Sequence, residues 1–187
     1  MGDASAVTRP YLHLFRNVPA AAGAGAPHAV PISLCAARGE GRRLYDIVAR
    51  RGSPPEPAGG LDRCRFLAAT VARFHQAHRA CLTGLAGGAF TLVATVPGTR
   101  TDRPVEAFHP MLRVVGMVAA LRDLHRPVLM PGESETAVAR LARSQPDERA
   151  FHVLGPVGGE RVLLLDDLCV SGARARSAAS ALRRAGA

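Results

Sequence analysis

Lysine is absent from this sequence: all 24 basic residues are arginine. That absence excludes Schiff-base chemistry and any phosphate-binding loop of the GxxxxGK type. Tryptophan is also missing and aromatic residues make up only 4% of the chain, so the core must be built from Val, Leu and Ala. With so few rings there is no stacking platform for single-stranded nucleic acid. No apolar run approaches the roughly 20 residues of a membrane-spanning helix. Asp3 and Arg9 stand where a secretory signal would place its apolar segment, so no signal peptide is read and the cytoplasm is the default location. The four cysteines, Cys35, Cys64, Cys81 and Cys169, form no CxxC pair and read as free, mostly buried thiols.

What is present is the balance of a globular protein, 48% apolar and 21% charged, in a chain of 187 residues that suits one domain. The net charge of +9 favours phosphate-rich partners, small molecules or nucleic acid, because the guanidinium fork recognises phosphate bidentately. Arg42, Arg43, Arg50 and Arg51 cluster on a short segment with helical spacing. A solvated face explains them; steering of substrate phosphate or contact with nucleic acid is the alternative.

Residues 1–30, rich in Ala, Gly and Pro, read as a flexible extension. Pro31 to Ala36 predicts a short strand, and Leu44, Ile47, Val48 and Arg51 a short helix. Residues 51–60 hold three prolines and three glycines and are expected to lie outside regular structure. Asp62 then caps a helix whose apolar face carries Leu67, Val71, Phe74, His78 and Cys81. His75, His78 and Cys81 have a spacing that could converge on zinc, but no fourth ligand follows and core packing is the preferred reading. Phe90 to Val96 is a continuous apolar strand, as expected where a parallel sheet covers both faces. Pro110 opens a helix facing inward through Leu112, Val115 and Ala119. Val128 to Met130 predicts a strand, and Ser134 caps a helix to about Arg143. Arg161 to Leu165 is a buried strand, followed by Asp166-Asp167, a small-residue turn, and a helix with Ala175, Ala178, Ala179, Leu182 and Ala185 on one side. Strands alternating with helices predict an α/β domain with a mostly parallel sheet flanked by helices.

The chemistry gathers in the segment VLLLDDLCVSGARA. Ligands of open α/β sheets bind at the carboxyl ends of strands. Backbone N–H groups from Val170 through Ser171, Gly172 and Ala173 to Arg174, with a helix dipole behind them, suit a phosphate. Asp166 and Asp167 can accept from two adjacent ribose hydroxyls or hold a hydrated Mg²⁺. A purely structural turn is the plain alternative.

The same segment resembles the PRPP-binding signature of the type I phosphoribosyltransferases: an apolar strand, two acids, two residues, Thr-Thr-Gly, a small residue and Thr. Here Val170 stands at the first threonine, Ser171 at the second and Arg174 at the last. The rest of the chain is similar to the ComF-like, actinobacterial branch through Pro31-Ile32-Ser33-Leu34, His78 with Cys81, and the Val96 to Arg100 loop. The resemblance covers about residues 30–187 and implies a phosphoribosyltransferase-like domain over 31–187. The family continues with a further strand where this sequence stops at Ala187, so the core is expected to lack its C-terminal strand. It also implies that Asp166 and Asp167 contact the ribose, that Val170 to Arg174 bind the 5-phosphate, and that Pro97, Gly98, Thr99 and Arg100 form the pyrophosphate loop. Arg100, with Arg149 as a weaker candidate, would stabilise the leaving pyrophosphate. The implied reaction is attack of a nitrogen nucleophile on C1 of PRPP, assisted by Mg²⁺, with the small-molecule acceptor unspecified. A non-catalytic PRPP or nucleotide-binding regulator, or a ComF-like accessory of DNA uptake, is the other reading, and a homodimer is compatible with either.

Overall fold

The computed structural model describes residues 57–98, 110–132, 135–167 and 171–187. The expected extension over 1–30, the strand at Pro31 to Ala36, the arginine cluster at 42–51 and the cap at Ser134 lie outside the described residues. The chain divides into two compact units, Met1–Ala86 and Gly87–Ala187.

The described part of the first unit is one 29-residue helix, α1, Pro57–Leu85. It begins five residues before the expected cap at Asp62 and takes in Gly59 and Gly60, so residues 57–60 are helical and not irregular. A proline at the first helical position surrenders no hydrogen bond, since the opening N–H groups have no partner within the helix. Ala68 and Val71 are buried on α1, and Leu67 is half-buried. Phe74 and His78 stack obliquely with ring centroids 4.6 Å apart. Cys81 is exposed and Cys64 half-buried, both free, so the expectation of buried thiols fails for the two cysteines described.

The second unit is mixed α/β. Its order is β1 (Leu92–Thr95), α2 (Pro110–Gly116), α3 (Ala119–Arg122), β2 (Leu129–Pro131), α4 (Glu135–Ala142), a 3-10 turn at Glu148–Ala150, β3 (Phe151–Val153), β4 (Val162–Leu165) and α5 (Ala173–Arg184). Among the described residues the strands form two two-stranded sheets: β1 pairs with β4 in parallel, and β2 with β3 antiparallel. On the side of β1 away from β4, Val93 accepts from Arg126 N–H and donates to Leu124 O, giving one further parallel bridge at His125. No described helix is long and apolar enough to cross a membrane.

All four residues of β1 are buried, its closing Thr95 included, as a strand covered on both faces requires. The strand expected to be buried at Arg161 to Leu165 is not: β4 is half-buried at all four positions and Arg161 before it is exposed. Leu92, Ala94 and Val96 enter a core with Phe151, Leu129, Ala137, Leu141 and the inner side of α5. The α5 contribution comes from Ala173, Ser177, Ala178, Ala181 and Leu182. The expected face is therefore rotated: Ala178 and Leu182 belong to it, whereas Ala175 and Ala179 are half-buried and Ala185 is exposed. In α2 the buried residues are Met111, Val114 and Val115, with Val118 following. Gly116 ends that helix, so Ala119 falls in α3 and is exposed, and Leu112 is half-buried.

Two glycines fix the backbone that carries this core. A Cβ on Gly132 would run into the Arg149 carbonyl oxygen, while Gly132 N–H bonds Ala150 O at 2.8 Å. Gly186, at φ +95°, closes α5: Ala187 N–H bonds Leu182 O and Gly186 N–H bonds Arg183 O, the paired bonds of a Schellman ending.

Candidate functional site

Parallel pairing puts the carboxyl ends of β1 and β4 side by side, and there the sequence-predicted residues meet. Thr95 lies opposite Leu165, and Val96 N–H donates to Leu165 O at 2.9 Å. The next residues on the two strands are Pro97-Gly98 and Asp166-Asp167. Asp167 N–H donates to Asp166 Oδ1 at 3.0 Å, which fixes the first carboxylate over its own backbone.

The start of α5 stands at this same edge. Gly172 is left-handed at φ 73°, a conformation that disfavours any residue with a Cβ, and its carbonyl accepts the first helical bond from Arg176 N–H at 2.9 Å. The hydroxyl of Ser171 accepts from Ala173 N–H at 3.3 Å, so it tightens the turn before the helix. Ala173 turns its side chain into the core and can offer a ligand only backbone. A helix opening of this kind, with its dipole and forward-pointing N–H groups, favours an anion.

Arg174 connects the three segments. Its guanidinium donates to the Pro97 carbonyl at 2.9 Å and lies 3.9 Å from Asp166 Oδ1. The Arg174 side chain is 27% exposed and that of Asp166 only 11%. Arg174 Nε is buried and has no hydrogen-bond partner among the described residues.

No family model, curated protein or solved structure matches this chain.

Pro97, Gly98, Asp166, Asp167, Ser171, Gly172, Ala173 and Arg174 are thus brought to one edge. Thr99, Arg100 and Val170 lie outside the described residues. Arg149 is exposed in the 3-10 turn, whose neighbour Glu148 is held by Ser180 and Arg184 at the far end of α5. The contact between Arg174 and Pro97 spans 77 residues and has no signature in either local sequence. On α1, burial and then the charge of Arg79 push His75 below the ordinary imidazole range. Among the described residues no group of three or more His, Cys, Asp or Glu could hold a metal ion. A magnesium site of the kind implied for PRPP enzymes needs fewer: one or two carboxylates, with substrate phosphates and water completing the shell. The adjacent carboxylates of Asp166 and Asp167 are hard oxygen donors of that kind; both oxygens of Asp167 are closed off from solvent, so Asp166, 11% exposed, is the better placed of the two.

Proposed function

We propose that this chain binds a phosphorylated ribose, PRPP in the first instance, and transfers its phosphoribosyl group to a nitrogen nucleophile. One observation carries the reading. The Pro97-Gly98 turn, the two acids and the start of α5 share the carboxyl edge of one parallel strand pair, with Arg174 tying them together. The proposed fold is the type I phosphoribosyltransferase core, in a cytoplasmic protein.

In this reading Asp166 and Asp167 accept hydrogen bonds from the two ribose hydroxyls. The backbone from Val170 to Arg174 receives the 5-phosphate, and Pro97 to Arg100 serve the pyrophosphate. The nucleophile's nitrogen forms a bond to C1 as the C1–O bond to pyrophosphate breaks. The residues act by orienting the sugar and by stabilising charge on the departing oxygen, the part assigned to Arg100. Magnesium held through Asp166 or Asp167 and the ligand would supply further neutralisation of that charge.

A second reading, a non-catalytic sensor of PRPP or nucleotide, is favoured by Arg174 itself. Where the resembling family has a small hydroxyl residue, this side chain is already engaged by Pro97 and Asp166.

The deciding experiment is calorimetric titration of PRPP with Mg²⁺ into the wild-type chain and into Asp166→Asn/Asp167→Asn, with pyrophosphate assayed across a panel of amine and base acceptors. Micromolar binding lost in the double variant supports the ribose site, and pyrophosphate release separates enzyme from sensor. Equal affinity in both proteins rejects the assignment of the acids.

A further inference from the structure

We propose that Arg174 is a positioning residue, which holds the Pro97-Gly98 turn against the first turn of α5 and sets the carboxylate of Asp166 before any ligand arrives. Its geometry stands by itself; only the identity of the ligand rests on the phosphorylated-ribose reading.

An arginine in the first turn of a surface helix ordinarily runs out into water, where its many rotamers keep their entropy. Here the side chain is largely withdrawn from solvent and donates to a carbonyl in another segment. Pro97 is among the fully buried residues, and its carbonyl needs a donor. Proline contributes no N–H of its own to knit the turn together. The guanidinium supplies that donor, and its charge lies beside Asp166, whose Oδ1 is already bonded by Asp167 N–H. One planar cation therefore fixes both the turn after β1 and the acid after β4. A neutral or shorter side chain at this position would leave the turn free to move relative to the acids. A site whose parts are held in place before binding loses less entropy when the ligand docks.

The test compares wild type, Arg174→Ala and Arg174→Lys. Amide hydrogen exchange at Val96, Gly98 and Asp167 is followed without ligand, together with the urea midpoint, and PRPP with Mg²⁺ is then titrated by calorimetry. In Arg174→Ala, faster exchange at these three amides is expected with little change in the urea midpoint. PRPP affinity should fall by roughly tenfold, because the ligand must then order the turn and the acid as it binds. Lysine keeps the charge but not the planar fork, so partial recovery of both is expected. Unchanged exchange at the three amides overturns the proposal, and so does faster exchange with full PRPP affinity. If wild type binds no PRPP yet the alanine variant exchanges faster, the ligand reading falls and the positioning role stands. Should Arg174→Ala not fold, Arg174→Lys carries the same comparison.

Discussion

The backbone N–H of Asp147 donates to the Ser177 hydroxyl at 2.8 Å, and that hydroxyl donates to the Ala173 carbonyl at 2.8 Å. Ser177 is fully buried in α5, so its oxygen joins the first turn of the helix to the segment before β3. Ser177→Ala strips a buried N–H of its acceptor. Leaving such a donor unmet costs about 1–3 kcal/mol. Urea unfolding should show that loss; an unchanged midpoint would mean water takes the hydroxyl's place.

Ser144 ends α4 at φ 63°, with Gln145 N–H bonded to Arg140 O and Ser144 N–H to Leu141 O. This is the position where a helix ending of this type prefers glycine. Ser144→Gly should stabilise the protein by about 0.5–1 kcal/mol, seen as a higher urea midpoint with the same slope.

Burial pushes the imidazole of His125 below its ordinary value of 6.5. The folded protein therefore holds it neutral, and the unfolded chain takes up the proton first as the pH falls. The stabilisation is fully present above pH 6.5 and is lost as the pH drops from there through the lower folded value. His75 shifts in the same direction. His125→Gln should flatten part of the decline in urea midpoint between neutral and mildly acidic pH; an identical decline would show that His125 does not drive it.

Val170 stands where the resembling family places a threonine hydroxyl. If the 5-phosphate is held here, Val170→Thr adds one hydrogen bond to a charged group, worth about 1.5 kcal/mol or more. PRPP should then bind about tenfold tighter by calorimetry. An unaltered affinity would argue that the phosphate lies elsewhere.

Gly132 has the Arg149 carbonyl where a Cβ would sit. Gly132→Ala must displace backbone at the β2–β3 pair, and a loss of about 1–3 kcal/mol is expected in urea unfolding.

The strand ends and the acids are readable because β1 and β4 are rich in apolar residues, Leu92 to Ala94 and Val162 to Leu165, and each gives way abruptly, one to Pro97-Gly98 and the other to Asp166-Asp167. Other elements carried weaker signals. β3 spans three residues, Phe151–Val153, directly after the 3-10 turn, too short for a period to register. The start of α1 is hidden in the sequence because prolines and glycines at 51–60 suggest breakage, whereas Pro57 occupies the first helical position, which tolerates proline. In α5 alanine appears on every side, so apolar spacing could not choose between Ala173 with Ala181 and Ala175 with Ala185. Of the candidate site, the acids and the glycine were legible as a motif. The turn of Arg174 toward Pro97 was not, since it depends on two loops meeting in space.

The pairing of β1 with β4 has a consequence for how the protein is made. Arg161 N–H bonds the Thr91 hydroxyl across 70 residues, at the amino end of the same strand pair. During synthesis β1 leaves the ribosome long before it has a parallel partner, and pairings this distant in sequence form slowly. The edge with its acids and turn is completed only when α5 has emerged, so a nascent or prematurely terminated chain lacking that helix carries the acids beside β1 without the helix opening or the arginine that joins the two loops.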